Sequence, residues 1–393
     1  INFNNINNTF IDEMLNDKKK IVTLSEWGYP PFGGGENWLL NLSKIFNNLD
    51  YDTYIICFSN GFNGNQFKEM ELIDLNYVKI IQMEYNLYEI MKIIKFINPC
   101  LINHQGIKRI EFMKIANVLE IPFITGYCFW NNIIKQNHSN IGILDNNEIE
   151  KDSSFSYINN NSYVYCASDF VNDVIHKFFD TKIKVIETIS LKDDYNIIIN
   201  KDKNIYVSLL NCHYNKGGFL IKDLINKLDI NIPLLLVYTE YDPNLELSEI
   251  KNLINERNNK NNINLLFEEK QNPKEIYEIT KLMLIPSLCD ETFCRVAYES
   301  KMNNIPVIST SNGNLKYLLK NYALFIDNNN NNNSDEWIKN IESMYKKINI
   351  NLKSPKNNLK NQINTITNYE NKIKNNVKDL IDEVLLNKSK YIL

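Results

Sequence analysis

The chain has 393 residues, and at roughly 100–200 residues per domain this length suggests two or three domains. Hydrophobic residues make up 44% and charged residues 23%, so the composition is that of a folded globular protein and excludes disorder of the whole chain. The formal net charge is −4, from 43 basic and 47 acidic residues, which excludes a broad cationic surface for nucleic acid or an anionic membrane.

Cysteine and histidine usage argues against a disulfide framework and a structural zinc site. The 7 cysteines include no C-x-x-C pair, and they form no tight cluster with the 4 histidines. We therefore expect buried thiols in a reducing, cytoplasmic compartment, with peripheral membrane association left open. No apolar run approaches the roughly 18 residues of a membrane span. The chain starts without methionine and without a signal-peptide pattern, so we interpret it as one part of a longer protein.

Apolar runs alternate with amphipathic segments along the first half of the chain. Their periodicity predicts strands at 21–27, 52–59, 100–106, 122–128, 162–168 and 183–188, and helices at 36–49, 86–98, 110–120 and 169–179. Strand and helix in repeated order predict a parallel sheet with helices on both faces.

The same alternation starts again after residue 203. Here the pattern predicts strands at 204–210, 232–239, 262–268, 282–287 and 305–310, and helices at 217–228, 245–257, 272–281 and 293–304. A last amphipathic helix is predicted at about 357–388. We therefore expect two doubly wound α/β domains, 1–190 and 191–356, and a C-terminal helical segment, 357–393, that packs back toward the first domain.

The stretch "PSLCDETFCRVAYESKMNNIPVIST", residues 286–310, combines a strand end with two acidic residues. Glu291 lies in the loop after the strand, and Glu299 lies in the next helix. Ligands of open α/β sheets bind beyond the carboxyl ends of the strands, and a helix N-terminus favours an anion such as a diphosphate. The two carboxylates would accept hydrogen bonds from sugar hydroxyls. The alternative is that both acids are simply solvated.

This stretch resembles the donor-site signature of GT-B glycosyltransferases, in particular glycosyltransferase family 4. The matching positions are Pro286, Ser287, Glu291, Phe293, Glu299, Pro306, Val307 and Ile308. The resemblance implies that Glu291 contacts hydroxyls of the transferred sugar and that Glu299 holds the nucleotide ribose. It also places Thr292, Phe293, Cys294 and Arg295 beside the diphosphate. The family has glycine where this chain has Cys294.

A glycine-rich segment at 33–35 resembles the family's loop before the first helix. The amides of Gly34 and Gly35 are candidates for diphosphate binding, because glycine lets a ligand approach the backbone closely. A dinucleotide fingerprint is rejected, because Trp38 occupies the position of its third glycine. A plain flexible turn is the remaining alternative.

Lys216 and Gly217 match the family's basic motif after the first strand of the second domain. In the family, an arginine five residues before the lysine shares the task of neutralising the leaving diphosphate, and here that residue is Asn211. Loss of one cation would cost a few kcal/mol of transition-state stabilisation, on the order of one lost oxyanion donor. Arg295 and His213 are candidate replacements.

Two further polar features belong to the first domain. His104 ends the strand 100–106, and its candidate role is contact with the acceptor or the transferred sugar, against a structural role in the strand. Asp50 and Asp52 form a D-x-D string of the kind that binds metal in GT-A transferases. The string lies in a turn away from the strand carboxyl ends, so we interpret it as solvated and expect no metal.

Taken together, the resemblance implies a GT-B architecture of two Rossmann-like domains facing across a cleft. It also implies transfer of a hexose-type sugar from a UDP- or GDP-linked donor, with retention and without metal or other cofactor. The acceptor would be a hydroxyl of a glycan, a protein or a small molecule. Lys216, Glu291 and His104 are the candidate catalytic residues. Asn211 leaves open a weak or inactive nucleotide- or glycan-binding module, and a nucleotide-sugar epimerase on the same fold is a third alternative.

Overall fold

The computed structural model describes residues 17–31, 33–59, 67–106, 108–128, 162–176, 183–191, 204–229, 231–237, 247–261, 265–268, 273–326, 334–351 and 358–387. These residues divide into two compact units. The first unit takes in those up to 189 and those from 371 onward, and the second takes in those of 190–370. The domain boundaries near 190 and 356 stay predictions, because they fall beside residues that the structure does not describe.

The first unit is built on an 8-stranded sheet in the order β3-β4-β2-β1-β5-β6-β7-β8. The strands are β1 (Lys20–Trp27), β2 (Asp52–Ser59), β3 (Glu71–Asp74), β4 (Lys79–Gln82), β5 (Leu101–Gln105), β6 (Phe123–Tyr127), β7 (Tyr163–Cys166) and β8 (Lys184–Val185). Neighbouring strands run parallel except at one edge, where β3 pairs antiparallel with β4. The central strands β1 and β2 are buried over most of their length, which explains their nearly continuous apolar sequences.

Four described helices belong to this sheet: α1 (Gly34–Asn48), α2 (Leu87–Ile97), α3 (Arg109–Val118) and α4 (Asp169–His176). Local signals set their ends. Asn86 caps α2, since its side chain accepts the N–H groups of Tyr88 and Glu89, and the helix stops at Asn98 in the left-handed conformation. The apolar faces of α2 and α3 pack with β1, β2 and β5 into one core.

The second unit is built on a 6-stranded sheet in the order β11-β10-β9-β12-β13-β14, and all its pairings are parallel. The strands are β9 (Tyr206–Leu210), β10 (Leu234–Val237), β11 (Leu265–Glu268), β12 (Thr280–Ile285), β13 (Val307–Ser309) and β14 (Leu324–Phe325). Its helices are α5 (Ile221–Lys227), α6 (Leu247–Asn261), α7 (Pro273–Ile279), α8 (Arg295–Met302), α9 (Leu315–Leu318) and α10 (Ser334–Asn351). The last helix, α11 (Asn358–Leu386), is divided between the two units. Strands β9, β10 and β12 sit in a core that helices α5, α6 and α10 cover.

The predicted α/β class with two parallel sheets is confirmed, and the differences are local. The predicted helix at 217–228 opens with a 3-10 turn, Gly218–Leu220, before α5, and a second 3-10 turn, Tyr214–Lys216, lies just ahead of it. Gly217 separates the turns, because its φ of 128° cannot continue a helix. The short strands β3, β4 and β14 and the helices α9 and α10 carry no prediction from the sequence. Their pairing and burial come from the tertiary fold.

The last helix, α11, agrees with the predicted amphipathic segment. Its residues up to 370 belong to the second unit, and those from 371 belong to the first. None of the helices in the described part of the chain combines the length and the hydropathy that crossing a membrane requires.

Candidate functional site

Three loops meet at the carboxyl edge of the second sheet, because β9, β12 and β13 are neighbours in it. The loop after β9 holds Lys216, the loop after β12 holds Glu291, and the loop after β13 holds Gly313. The backbone N–H of Leu288 donates to Asn215 O at 2.8 Å and joins the first two loops. A bridge between Glu291 and Gly313 joins the second and third. The adjacency of these strands therefore assembles residues that lie far apart in sequence.

Lys216 and Glu291 form an ion pair in which Nζ lies 2.5 Å from Oε1. The hydroxyl of Ser287 donates to the same oxygen at 2.6 Å. Burial is the largest single effect on the pKa of Lys216 and lowers it, yet the pKa stands above the ordinary value overall, chiefly because of the Glu291 carboxylate. The Lys216 side chain is still 33% exposed, against 9% for Glu291. The ion pair thus holds the Lys216 ammonium group at the carboxyl ends of the strands, with part of the lysine side chain open to solvent.

Glycine is required at two positions around this pair. A Cβ on Gly217 would lie 2.5 Å from Pro286 Cγ, and one on Gly313 would lie 2.4 Å from Glu291 N. Both glycines also have positive φ, 128° and 58°. The contact of Gly217 with a diphosphate stays a prediction. What the structure shows is that Gly217 allows the Lys216 turn to approach the β12 loop.

The local backbone conformation explains why residue 211 is asparagine. Its φ is 63°, in the left-handed region that asparagine tolerates better than arginine does. Its Oδ1 accepts the N–H of His213 at 3.3 Å, and His213 Nδ1 accepts the N–H of Asn215 at 3.3 Å. Both side chains therefore stabilise the turn that presents Lys216. A role for His213 as replacement cation stays a prediction.

Glu299 lies in α8, is 4% exposed and is enclosed by donors. Its Oε1 accepts from Ser190 Oγ and lies 3.4 Å from Arg295 Nε, and its Oε2 accepts from the hydroxyl of Tyr277. Arg295 also donates from Nη2 to Ser190 Oγ at 2.7 Å. In the structure Arg295 thus pairs with Glu299, and its role as a replacement for the missing arginine stays a prediction. Ser190 and Tyr277 were not predicted from the sequence, since neither lies in a recognisable motif.

Cys294 is the N-cap residue of α8 and has the left-handed conformation, with φ 68° and ψ 84°. This is the position where the resembling family has glycine, and the structure shows why glycine suits it. Phe293, its neighbour, is buried and contacts the ring of Tyr298 at a centroid distance of 5.8 Å. Thr292 is half-buried in the same loop. Helix α8 begins at Arg295, two residues later than predicted, so the free amides of its first turn start there.

His104 of the first unit is fully buried in β5. Its Nδ1 lies 3.2 Å from Thr125 Oγ1, its Nε2 lies 3.8 Å from Glu26 Oε1, and its ring stacks on Phe123 at 6.0 Å. Burial lowers the pKa of His104 below its ordinary 6.5, so the ring is neutral at physiological pH. The structure places His104 among protein partners, and its contact with an acceptor or sugar stays a prediction.

Glu26, at the end of β1, is a buried carboxylate that the sequence analysis missed. Its Oε1 accepts the N–H of Lys108 at 2.6 Å. A Cβ on Gly106 would lie 1.5 Å from its Oε2, so glycine is needed for this approach. Burial would raise the pKa of Glu26, but the nearby His104 ring and the hydrogen bond from Lys108 N–H lower it overall. Glu26 therefore fixes the turn after β5 as an anion.

The glycine-rich segment forms the start of α1. Glu36 Oε2 accepts the N–H of Gly33 at 2.8 Å, and Asn37 Nδ2 donates to Gly33 O at 2.8 Å. A carboxylate therefore already lies at this helix N-terminus, where the amides of Gly34 and Gly35 were predicted to bind diphosphate. That binding stays a prediction. Among the described residues, no group of three or more His, Cys, Asp and Glu side chains is arranged to hold a metal ion.

Part of the chain matches a known family model. Residues 192–362 match the family model "Glycosyl transferases group 1", and the matched segment contains Lys216, Glu291 and Glu299. The chondroitin synthase of Pasteurella multocida is 24% identical over 226 residues, which cover 55% of this chain and 21% of that protein. The chain thus spans about a fifth of the length of this curated relative.

Solved structures share the fold over nearly the whole chain. A glycosyltransferase from Rickettsia africae aligns with a TM-score of 0.65 at 16% identity, covering 94% of this chain and 99% of that one. Anabaena HepE in complex with UDP aligns with a TM-score of 0.59 at 14% identity, covering 95% and 98%. The same protein has also been solved with UDP-glucose. The chain shares the fold of these solved glycosyltransferases, and its residues 192–362 match the glycosyl transferases group 1 family model.

Replacement of Cys294 by glycine should stabilise the second unit. A non-glycine residue in the left-handed region costs about 1 kcal/mol, which glycine relieves. We expect Cys294→Gly to raise the urea midpoint of unfolding with an unchanged slope. Cys294→Ala is the matched control, because it removes the sulfur but keeps Cβ, and it should give no such gain. An equal gain in both variants would contradict the backbone explanation.

The stability of the first unit should fall in mild acid because of His104. The unfolded chain has the ordinary pKa of 6.5 and the folded chain a lower one, so the unfolded state binds more protons below that pH. We expect the urea midpoint of unfolding to fall as the pH drops from 8 to about 5.5. This range lies above the pH at which aspartate and glutamate ordinarily become protonated. His104→Asn should flatten this dependence, whereas His176→Asn, at the exposed end of α4, should keep it. Equal slopes in all three proteins would refute the assignment.

Proposed function

We propose that this chain transfers a hexose-type sugar from a nucleoside diphosphate sugar to a hydroxyl of a glycan acceptor. The observation that carries the proposal is the Lys216–Glu291 pair at the carboxyl ends of β9 and β12. The ammonium group of the pair can bind a phosphate, and the carboxylate can accept hydrogen bonds from sugar hydroxyls. Helix α8 starts four residues after Glu291 and adds free backbone amides.

Lys216 would act on the leaving group. When the bond between the anomeric carbon and the β-phosphate oxygen breaks, negative charge grows on the diphosphate, and a fixed cation stabilises it without reorganising. The raised pKa of Lys216 keeps that cation charged over the whole physiological range. The Ser287 hydroxyl and the Lys216 ammonium hold Glu291 Oε1 in place, so that its carboxylate is positioned before the sugar arrives.

Glu299 would accept from a hydroxyl of the nucleotide ribose, and Glu291 from hydroxyls of the transferred sugar. We further propose UDP as the nucleotide, supported by the likeness to Anabaena HepE, which has been solved with UDP and with UDP-glucose. The glycan acceptor is supported by the match to a chondroitin synthase. Retention at the anomeric carbon and independence from metal complete the proposal, and they rest on the family resemblance of the 286–310 stretch.

A binding module without turnover is the second candidate function. It is motivated by Asn211, whose side chain brings no positive charge to the Lys216 turn. Such a module would bind UDP and its sugars with Lys216 but release no nucleotide. A nucleotide-sugar epimerase, in contrast, would convert the donor without any acceptor. One assay of donor consumption and UDP release, with and without glycan acceptors, separates all three.

The Lys216→Ala variant tests the central assignment. We expect it to lower kcat by about 100-fold or more, as loss of one oxyanion-stabilising donor does, in an assay of UDP release from a panel of UDP- and GDP-sugars. Lys222→Ala is the matched control: Lys222 lies in the same unit with a 54% exposed side chain that pairs with Glu249, and its loss should leave turnover unchanged.

Glu291→Gln extends the test to the carboxylate. It should keep the shape of the loop while weakening the acceptance of sugar hydroxyls, so kcat should fall with little change in the affinity for free UDP. Unchanged turnover in Lys216→Ala would show that the site is wrongly placed. Binding of UDP by a folded protein that turns over no donor would favour the binding module.

A further inference from the structure

The buried carboxylate of Glu299 is held by side chains from three separate parts of the second unit. Arg295 is one turn before it in α8, Tyr277 comes from α7, and Ser190 lies at the start of the unit, far away in sequence. A buried carboxylate needs donors and a compensating charge, and this cluster supplies both. Glu299 is the proposed ribose ligand. The hydrogen bonds from these three side chains fix the orientation of its carboxylate, and therefore also which of its lone pairs can accept from the nucleotide.

The directions of the hydrogen bonds follow from the donors available. The guanidinium of Arg295 has only donors, so Nη2 and Nε donate to Ser190 Oγ at 2.7 and 3.0 Å. The Ser190 hydroxyl then uses its one proton to donate to Glu299 Oε1. This relay ties Oε1 to Arg295 both through Ser190 and by the 3.4 Å approach of Arg295 Nε.

The other oxygen, Oε2, is held by the hydroxyl of Tyr277. A carboxylate oxygen has about two lone pairs directed for hydrogen bonds. Counted over the described residues, the donors around Oε1 number two, Ser190 and Arg295, whereas Oε2 has one, Tyr277. Oε2 therefore keeps acceptor capacity for one further donor.

We propose that Tyr277 is a positioning residue that, with Ser190 and Arg295, orients Glu299 so that Oε2 accepts from a single hydroxyl of the nucleotide ribose. This inference rests on the proposed function and deepens it, because it states how the donor site distinguishes ribonucleotides from deoxyribonucleotides. Tyr277 acts through Glu299 and does not itself touch the nucleotide. Its ring is fully buried, so the packing of the ring and the hydrogen bond of its hydroxyl are separable.

Tyr277→Phe removes the hydroxyl and keeps the buried ring. The experiment measures by calorimetry the affinity of the whole protein for UDP, 2′-deoxy-UDP and 3′-deoxy-UDP. For the wild type we expect UDP to bind about 10-fold more tightly than one of the two deoxy analogues, the value of one hydrogen bond to a charged group. In Tyr277→Phe, UDP should bind several-fold more weakly while that analogue binds as before, so the discrimination ratio shrinks.

Tyr345→Phe is the matched control. Tyr345 is also a buried tyrosine of the second unit, and its hydroxyl donates to Ile205 O at 2.8 Å, away from Glu299. Its loss is expected to lower stability without changing the ratio. Ser190→Ala is a second variant, which removes a hydrogen bond to Glu299 Oε1 instead of Oε2. It should also reduce the ratio of UDP to deoxy-UDP affinity, so the proposal stays testable if Tyr277→Phe does not fold.

The outcomes separate this inference from the function on which it rests. A wild-type protein that binds no nucleoside diphosphate overturns both. A wild type that discriminates ribose, together with Tyr277→Phe and Ser190→Ala proteins of unchanged ratio, overturns the positioning role alone. An equal loss of affinity for all three ligands in Tyr277→Phe also overturns it, because that is the effect of a merely structural residue. A reduced ratio in the variants, with the control unchanged, supports it.

Discussion

The site in the second unit depends on the ion pair between Lys216 and Glu291. Two opposite charges at a partly buried strand edge stabilise each other, and this attraction determines how both loops lie. The carboxylate keeps the lysine charged, and the lysine keeps the carboxylate fixed. The same contact that stabilises the loops thus prepares an anion-binding group and a hydroxyl-binding group side by side. Glu299, the proposed ribose ligand, lies eight residues further on, within the same strand–loop–helix segment.

Backbone conformations that few residues tolerate accompany this pair. Gly217 and Gly313 have positive φ and leave no room for a side chain, since each faces a neighbouring loop. Asn211 and Cys294 have positive φ without being glycine. Asn211 suits its turn through a local hydrogen bond, whereas Cys294 is strained. Both departures from the family motif thus lie in the left-handed region, and of the two residue types asparagine is the one that tolerates it better.

Much of the fold and part of the site could be predicted from sequence. Periodicity predicted β1, β2, β9 and β12 to within a few residues, since buried parallel strands are continuous apolar runs. The motif positions Lys216 and Glu291 proved to be in contact. The edge strands β3 and β14 were not predicted, because short, partly exposed strands have no distinctive pattern. Tyr277 and Ser190 were missed because their relation to Glu299 spans 22 and 109 residues and leaves no local signal.

The sequence by itself determined the α/β class, the order of the main elements and the motif that resembles a donor site, because these follow from local periodicity and from spacing within one segment. Only the tertiary structure decided what those residues contact. It brought Ser190 and Tyr277 to Glu299, buried His104 beside Glu26, and paired Lys216 with Glu291. The physical reason is that hydrogen bonds and ion pairs depend on which strands become neighbours, and that order is a property of the folded sheet.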